Sequence, residues 1–387
     1  MKLRRRSDVR TLVWAFLFMP AAAAAQYAAP RLAGWLLPVS MYLAYCAGVI
    51  AHNHNHSPTF TRRPLNTVLS MWILFFYGFP VFAWIPTHNQ NHHRFTNRPG
   101  DASITWRATP RNGPFAAITY FFVAAAAQAP LTARFVERAR RSNRRAYAAY
   151  VGQYAFVFGG HAAACALAIA LYGVTRGAWV YASALGIPAL GALWGLMFTN
   201  YVQHVDCDPW SRWSHSRDFT SRWMNALVFD NGFHTVHHEQ PGLHWSELCA
   251  AHARVAHLLD PRLEERSIFG YCFKVYVLGA FFPRFTPAAL ASYEAPSQPR
   301  AAIASTTILA PASTEAAADA AASMTSRRPS SSAALARCSF TASASIVTTA
   351  SSPASATARA AESHRAPPSA ESSAALPPRS KSALSTA

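Results

Sequence analysis

The sequence predicts an all-α membrane protein in which four helices cross the bilayer and further apolar helices lie along its surface. The chain of 387 residues is 51% hydrophobic and only 13% charged, whereas soluble globular domains carry about 25% charged residues. Six apolar stretches without any Asp, Glu, Lys or Arg occupy most of the first 200 residues, and a bilayer core requires about 20 apolar residues per helix. These observations exclude an ordinary soluble protein and an acidic disordered one.

The apolar stretches are assigned from their length and from the charges between them. Cytoplasmic loops of membrane proteins are enriched in Lys and Arg. If four of the stretches cross the bilayer, only Arg31 and Arg176 lie in outer loops. The predicted spanning helices are residues 11–29, 32–51, 147–172 and 177–200.

Of the two remaining stretches, 66–86 is expected to form a re-entrant or interfacial pair of half helices, and 114–130 is expected to lie at the membrane interface. Gly78-Phe79-Pro80 interrupts the first of them, because a proline inside a helix removes a hydrogen bond and bends the chain. In the alternative topology both stretches cross the membrane. That topology would place His88 to His93 on the opposite side of the membrane from His52.

The two ends of the chain have compositions of their own. The start, MKLRRR before an apolar run and then Ala21 to Ala25, resembles a secretory signal, so its cleavage is an alternative to a first spanning helix. From about residue 286 Ala, Ser, Thr and Pro dominate, and such a composition buries too little apolar surface to offset the entropy of ordering. We therefore predict a folded membrane body at 1–285 and a disordered tail at 286–387.

The 16 histidines are unevenly distributed, and three short clusters contain nine of them. In a helix, side chains three or four residues apart share one face, so a single helix can present several nitrogens to one point. Neutral imidazole is the commonest metal-binding side chain, and the clusters hold more imidazoles than one tetrahedral site accepts. They therefore predict two metal ions. The spacing pairs His52 with His56 and His88 with His92, groups His234, His237 and His238, and turns His54 and His93 away.

A further polar pair lies at the inner end of the last apolar stretch. Asn200 and His204 are four residues apart, so the amide and the imidazole share a helix face. The amide could hold a metal-bound water. His204 is either a metal ligand or a residue that supports one.

The motifs HxxxH at 52–56, HxxxHH at 88–93, NxxxH at 200–204 and HxxHH at 234–238 resemble the histidine boxes of the membrane-bound fatty acid desaturase family. The resemblance covers residues 11 to about 285. It implies four membrane helices, a cytosolic helical cap and two non-haem iron ions that react with O2. The implied iron ligands are His52, His56, His88, His92, His93, His204, His234, His237 and His238, with Asn200 acting through a water.

The sequence departs from the family pattern in two boxes. His54 is an extra imidazole in the first box and is therefore an alternative to one of the implied ligands, and the second box has the spacing HxxxHH instead of HxxHH. Asp230 and Glu239 flank the third box and are candidates to accept the distal N–H of ligand imidazoles, a contact that fixes the tautomer. His244 is either a similar supporting residue or an ordinary surface residue.

The resemblance implies removal of hydrogen from an unactivated methylene, which no side-chain base can deprotonate. We therefore expect an O2-dependent fatty acyl desaturase in the cell inner membrane, with its site on the cytoplasmic side. The substrate would be a fatty acyl lipid, an acyl-CoA or an acyl-carrier conjugate. Aromatic residues near the boxes are candidates to line its tunnel: Trp72, Phe75, Phe76, Tyr77, Trp84, Trp194, Phe198 and Tyr201.

The chain contains neither an HPGG haem-binding pattern nor a GxGxxG motif after a strand. Electrons are therefore expected from a separate protein, a ferredoxin or a cytochrome with its reductase. Lys and Arg outnumber Asp and Glu by 35 to 17, and this charge suits an acidic donor or anionic lipid headgroups; no nucleic-acid partner is expected.

Two other functions remain open from the sequence. A lipid or carotenoid hydroxylase or ketolase would use the same metals, and only the geometry of the pocket would distinguish it. A divalent-metal transporter would need polar ligands at mid-membrane. The available residues there are His161, Cys165 and Cys46.

Overall fold

A computed structural model of the chain describes residues 2–291 and 293. Nearly all of its regular structure is helical, as the composition predicts. The first 204 residues form a bundle of long helices, which are α1 (Asp8–Ala28), α2 (Pro30–His56), α3 (Arg63–Tyr77), α4 (Val81–Phe95), α5 (Pro114–Ser142), α6 (Arg144–Tyr172) and α7 (Val174–His204).

Residues 205–291 form a cap of short elements against the ends of α2, α4 and α7. Its strands β1 and β2 pair in parallel, with Asp218 opposite Glu264, and they are the only strands of two or more residues in the described part of the chain. The elements of the cap are β1 (Asp218–Phe219), α8 (Arg222–Leu227), α9 (His234–Glu239), α10 (Leu248–Val255), β2 (Glu264–Glu265) and α11 (Ile268–Phe281).

Within the described residues, α1, α2, α5, α6 and α7 are long and apolar enough to cross a membrane. Four of these five correspond to the predicted spans, and α5 extends well beyond the predicted stretch 114–130. The ring of Tyr120 in α5 lies 5.0 Å from that of Tyr201 in the last turn of α7. Farther along α5, Phe135 lies 5.3 Å from Tyr150 near the start of α6. Helix α5 therefore connects the ends of two other helices, and its position along the membrane surface stays a prediction.

Helices α3 and α4 form the broken pair that the Gly-Phe-Pro sequence predicts. They meet at an angle of 96°. Gly78 ends α3 with a φ of +81°, a conformation that residues with a β-carbon rarely adopt. A Cβ at Gly78 would also lie 2.5 Å from the Cβ of Ala189 in α7. Positive φ and close packing both require glycine at position 78. The break between α3 and α4 at this glycine changes the direction of the chain.

The bend returns α4 to the end of α2. As a result, Nε2 of His52 lies 2.9 Å from Nε2 of His88. This contact is incompatible with the alternative topology, in which these two residues would face opposite sides of the membrane.

Small residues allow α2 and α7 to pack closely. Ala47 and Ala51 of α2 are fully buried, and a Cβ at Gly48 would lie 2.3 Å from Leu196 of α7. Small side chains at helix contacts let backbones approach in membrane proteins. The close packing brings the ends of both helices, at His56 and His204, to the same region.

The first turn of α1 packs against the cap. Asp8 and His244 are both buried, with Oδ2 of Asp8 3.2 Å from Nε2 of His244, and the guanidinium of Arg10 lies 4.5 Å from the ring of Phe229. His244 therefore stabilises the contact between α1 and the cap. It is not a surface residue, and no contact joins it to the boxed histidines.

Only the first residues of the predicted tail fall within the described part of the chain. The backbone N–H of Leu290 donates to the carbonyl of Asp206 at 2.9 Å, and the ring of Tyr293 stacks on Trp106 with centroids 5.2 Å apart. The prediction of disorder for the remainder of 286–387 lies outside the described residues.

Candidate metal centre

The structure brings nine boxed imidazoles together in two neighbouring groups. In each group, one nitrogen atom from every ring lies within 4.8 Å of those of the other rings. The rings come from α2, α4, α7 and α9, four helices that are far apart in the sequence. The first group contains His52, His56, His88, His93 and His237, and the second contains His92, His204, His234 and His238.

In the first group, four Nε2 atoms form a closed ring of short contacts. The Nε2 of His52 lies 2.9 Å from that of His88 and 3.1 Å from that of His237. The Nε2 of His93 lies 3.0 and 3.1 Å from the same two nitrogens. A neutral imidazole carries one N–H, so hydrogen bonds alone cannot satisfy four contacts among four nitrogens.

A metal ion accounts for this arrangement. A metal–nitrogen bond of about 2.1 Å separates ligand nitrogens at right angles by about 3.0 Å, which matches the observed contacts. The Nε2 atom of His56 is buried without a hydrogen-bond partner and belongs to the same group. Five nitrogen donors around one point therefore fit a transition metal, for which imidazole is a suitable ligand.

The second group has one imidazole fewer. The Nε2 of His204 lies 3.1 Å from that of His92 and 3.0 Å from that of His234, whose Nε2 is 3.1 Å from that of His238. Asn200 lies one turn before His204, and its Nδ2 donates to the hydroxyl of Tyr120 at 3.0 Å. Tyr120 therefore holds the amide of Asn200 at the edge of this group.

A π-helical turn distributes the second box between the two groups. Residues Ile85–His92 form this wider helix, in which the N–H of His93 bonds to the carbonyl of His88. Such a turn pairs residues five apart instead of four, and it brings His93 beside His88. His92 consequently faces the second group. The rings of His88 and His92 still stack with centroids 5.2 Å apart, as predicted for two residues on one face, but their nitrogens belong to different groups.

The other boxes follow the helical spacing more closely. His52 and His56 lie in one group, as predicted, and His234 and His238 lie together in the other. His237 joins the first group, so the third box serves both. His54 belongs to neither group: its Nδ1 accepts from the backbone N–H of Thr59 at 3.3 Å. The structure thus gives no support to the exchange of His54 for an implied ligand.

Hydrogen bonds at Nδ1 orient three of the imidazoles. His92 donates to Oδ2 of Asp101 at 2.8 Å, His204 to the carbonyl of His215 at 3.0 Å, and His52 to Oδ1 of Asn53 at 3.1 Å. An imidazole that donates through Nδ1 exposes the lone pair of Nε2 to a metal. The three rings are therefore fixed in the tautomer that metal binding requires.

Asp101 is a functional residue that the sequence did not indicate. It is completely buried, which would raise the pKa of its carboxyl, but His92, Ser103 and the backbone N–H of Asn97 outweigh burial and hold that pKa at about 2. The carboxylate is therefore ionised at neutral pH. Its one sequence signal is weak: it is an acidic residue that follows the second box by eight positions.

Asp230 and Glu239, which were predicted to accept the distal N–H of imidazoles in the third box, have other partners. Glu239 pairs with Arg212, with Oε2 2.6 Å from Nε. Asp230 lies near Arg10, and burial raises the pKa of its carboxyl to about 7 even though Arg10 acts to lower it. The prediction that Asp230 and Glu239 orient ligand imidazoles was therefore wrong.

The cap holds α9 in place through Asp218. Its Oδ1 accepts the backbone N–H of Thr235 at 2.8 Å, and its Oδ2 lies 3.2 Å from Nδ1 of His252. Burial alone would lower the pKa of His252, but the carboxylates of Asp218 and Glu264 raise it. A buried ionic network therefore fixes the start of the helix that carries the third box.

Burial also controls the protonation of the third box. It lowers the pKa of His234, His237 and His238 well below the ordinary imidazole value, and the neighbouring imidazoles lower it further. The three rings are therefore neutral at pH 7, and their lone pairs are available to a metal.

A cavity of about 550 Å³ lies beside both groups, within the usual range for ligand sites. Tyr77 and Trp84 line it, whereas the other six aromatic residues predicted to do so are not among its lining residues. The lining from α5 extends over sixteen residues, 121–136, which is about 22 Å of helix. It comprises Phe121, Ala125, Gln128, Ala129, Thr132, Ala133 and Val136.

The residues that a metal transporter would require are engaged elsewhere. Nδ1 of His161 lies 3.1 Å from the hydroxyl of Tyr181, and its Nε2 lies 2.9 Å from the carbonyl of Phe75. Neither Cys165 nor Cys46 belongs to a group of three or more metal-binding side chains within the described residues. The transport alternative therefore receives no support from this part of the structure.

A family model described as fatty acid desaturase matches residues 9–269. No curated protein and no solved structure matches the chain. The matched range covers well over half of the sequence and contains both groups of imidazoles. It supports a function of the desaturase or hydroxylase type on fatty acids, in a family that generally uses two irons.

Replacing His237 by Ala is expected to lower the iron content of the purified protein by roughly half or more, because this ring supplies a nitrogen at the centre of the first group. Metal analysis of the detergent-solubilised protein measures the loss. His54→Ala is the matched control, since it removes a buried imidazole that belongs to neither group. Equal iron contents in the two variants would contradict the assignment.

Replacing Asp101 by Asn is expected to weaken metal binding by about 10- to 100-fold, the usual effect of losing a carboxylate that orients a ligand imidazole. Titration of metal-depleted protein with Fe(II) against a competing chelator measures the affinity. Glu239→Gln removes an acidic group that pairs with Arg212 and should leave the affinity unchanged. A weaker affinity in Glu239→Gln but not in Asp101→Asn would reverse the assignment.

Proposed function

Because the chain belongs to the fatty acid desaturase family, we propose that it is a membrane-bound, O2-dependent fatty acyl desaturase that acts at two histidine-bound irons. The observation that carries this proposal is the convergence of nine imidazoles on two points beside an elongated cavity. The metal groups provide a place for an oxidant, and the cavity provides a place for an extended apolar chain. Their adjacency favours oxidation of that chain.

Each group of imidazoles would hold one iron, with Asn200 contributing to the second through a water. When bound, the iron pair would activate O2, which is the oxidant for removing hydrogen from an unactivated methylene. The protein contributes a rigid set of neutral nitrogen donors. Asp101 and the carbonyl of His215 hold two of these rings in position from behind.

The walls of the cavity would bind and position the acyl chain. Leu196 and Met197 of α7 face it across from α5, and Trp84 lies next to the metal groups. Each methylene that leaves water for such an environment contributes about 0.8 kcal/mol. Binding would therefore depend on the length of the chain more than on its headgroup, and the apolar walls would exclude water from the reacting carbon.

Tyr120 would position Asn200 for its role beside the second group. Its hydroxyl donates to the carbonyl of Ser103 and accepts from Nδ2 of Asn200. This pair of hydrogen bonds turns Oδ1 of Asn200 away from Tyr120. The amide oxygen is then free to accept a hydrogen bond from a water in the cavity, which both Asn200 and Ser103 line.

We further propose that the protein resides in the inner membrane with this site on the cytoplasmic side. The loops next to the boxes are rich in arginine, including Arg62, Arg63, Arg94 and Arg98, a pattern typical of cytoplasmic segments. A separate ferredoxin or a cytochrome with its reductase would deliver electrons. The positive charge of the chain would favour an acidic donor.

One observation favours a hydroxylase or ketolase as a second candidate. Gln128 and Thr132 place polar groups along the wall of the cavity, and among the described residues Nε2 of Gln128 contacts only a weak acceptor, Sδ of Met197, at 3.8 Å. An amide in this position could bind a substrate or product that carries oxygen. The metal groups would be the same for both reactions.

Expression in a host of known lipid composition tests the reaction. The wild type should produce fatty acyl species that have lost two hydrogens, measured by chromatography and mass spectrometry of methyl esters; a gain of one oxygen would instead indicate the hydroxylase. His92→Ala should abolish the products and His54→Ala should retain them, because only His92 belongs to a metal group. Equal products from His92→Ala and wild type would remove the boxes from the mechanism.

Replacing Ala133 by Leu is expected to reduce turnover of the longest acyl chains more than that of shorter ones, because the added atoms occupy part of the cavity. Competition between acyl chains of different length measures this preference. Ala126→Leu is the control, since Ala126 lies on the same helix but is exposed and does not line the cavity. An identical shift in both variants would show that the cavity does not select the chain.

A further inference from the structure

Helix α11 has one face that packs against the helical bundle. Tyr271 and Val275, one turn apart, are 1% and 4% exposed. They belong to a buried cluster with Ala117 of α5 and with Tyr201 of α7. The helix is therefore held firmly beside the beginning of α5 and the end of α7.

The opposite face of α11 is apolar and exposed. Phe269, Phe273, Val277 and Phe281 are 79%, 56%, 46% and 75% exposed, and they follow one another at intervals of four residues, which places them in one stripe. Soluble monomers rarely expose contiguous apolar surface of this kind. A helix with one buried face and a stripe of exposed phenylalanines is typical of segments that lie in a membrane surface.

Helix α5 also exposes apolar side chains near its start. Phe115, Ile118 and Phe122 of α5 are 80%, 55% and 66% exposed, and Ala117 of the same helix belongs to the buried cluster that contains Tyr271 and Val275 of α11. Helix α5 contains an apolar window of 18 residues that is long enough to contact lipid. The lipid that surrounds this part of α5 would therefore also meet α11.

Basic side chains flank the stripe. Arg266 precedes α11 and is exposed, and Arg284 follows it with its guanidinium 4.9 Å from the ring of Phe285. Long basic side chains next to an apolar surface reach the level of lipid headgroups while their stems stay in the apolar region. Anionic headgroups attract such residues.

We propose that α11 lies in the plane of the membrane surface, with its four apolar side chains among the lipid acyl chains and with Arg266 and Arg284 bound to phosphates of anionic lipids. This inference rests on the membrane character of the chain and not on the reaction proposed above. It assigns to the cap a lipid-binding surface of its own.

The lipid-bound helix would also support the metal centre. The guanidinium of Arg217 lies 4.3 Å from the ring of Tyr271, and its Nη1 donates to the carbonyl of Val205 at 3.2 Å. Val205 directly follows His204. The membrane surface is thus connected through α11 and Arg217 to the end of the helix that carries a boxed histidine.

Fluorescence quenching in nanodiscs tests the location of the stripe. A fluorescent amino acid is introduced at Phe273 by amber suppression in the full chain, with Arg254 as the control site, because it is exposed on α10 of the cap. At Phe273 we expect lipids with brominated acyl chains to quench about twofold or more strongly than aqueous iodide does. The control site should show the reverse order.

Two results would overturn the proposal. Strong quenching of the Phe273 site by iodide would show that the stripe faces water. Protection from both quenchers would show that protein covers it, either a second copy of the chain or another segment of the same chain. Iron content is measured on the same samples, so that a misfolded variant is recognised, and loss of enzymatic activity has no bearing on the outcome.

A second variant tests the headgroup contacts. In the protein labelled at Phe273 with both arginines intact, quenching by brominated lipids should be stronger in nanodiscs that contain phosphatidylglycerol than in nanodiscs of phosphatidylcholine alone. The double variant Arg266→Gln/Arg284→Gln should lose this difference. The same difference in both proteins would overturn the assignment of the two arginines to lipid phosphates.

Discussion

Nine imidazoles with their lone pairs directed at two points are the constraint on which this structure depends. A buried polar group without a partner costs about 1–3 kcal/mol, and the net stability of a protein is only about 5–15 kcal/mol. Metal ions bound at the two groups would satisfy these nitrogens, and metal binding would then be coupled to folding. The hydrogen bonds from His92 to Asp101 and from His204 to the carbonyl of His215 direct those lone pairs inward.

The helices are arranged so that this convergence is possible. Small residues bring α2 and α7 together, the break at Gly78 turns α4 back toward the end of α2, and the π-helical turn divides the second box between the two groups of imidazoles. The cap closes the arrangement with α9, whose start is fixed by Asp218. Each of these features involves only a few residues, but each determines which imidazoles lie close together.

The same geometry explains why the chemistry and the substrate belong together. The cavity runs along one face of α5 and reaches His52, His88, His92 and His234 of the two groups. An extended apolar chain in this space would present a methylene to the metals in surroundings from which water is largely excluded. A histidine-rich site without such a cavity would suit metal storage or transport equally well, so the family assignment and the cavity together favour lipid oxidation.

The sequence by itself determined the features that depend on residues close together along the chain. Apolar length predicted the spanning helices, Gly78-Phe79-Pro80 predicted the break, and helical spacing predicted that His52 and His56 act together. Only the tertiary structure decided that His93 accompanies His88, that Asp101 rather than Asp230 or Glu239 orients an imidazole, and that His244 pairs with Asp8. Periodicity reports the face of one regular helix, whereas these contacts depend on a local π-helical turn and on packing between segments that are distant in sequence.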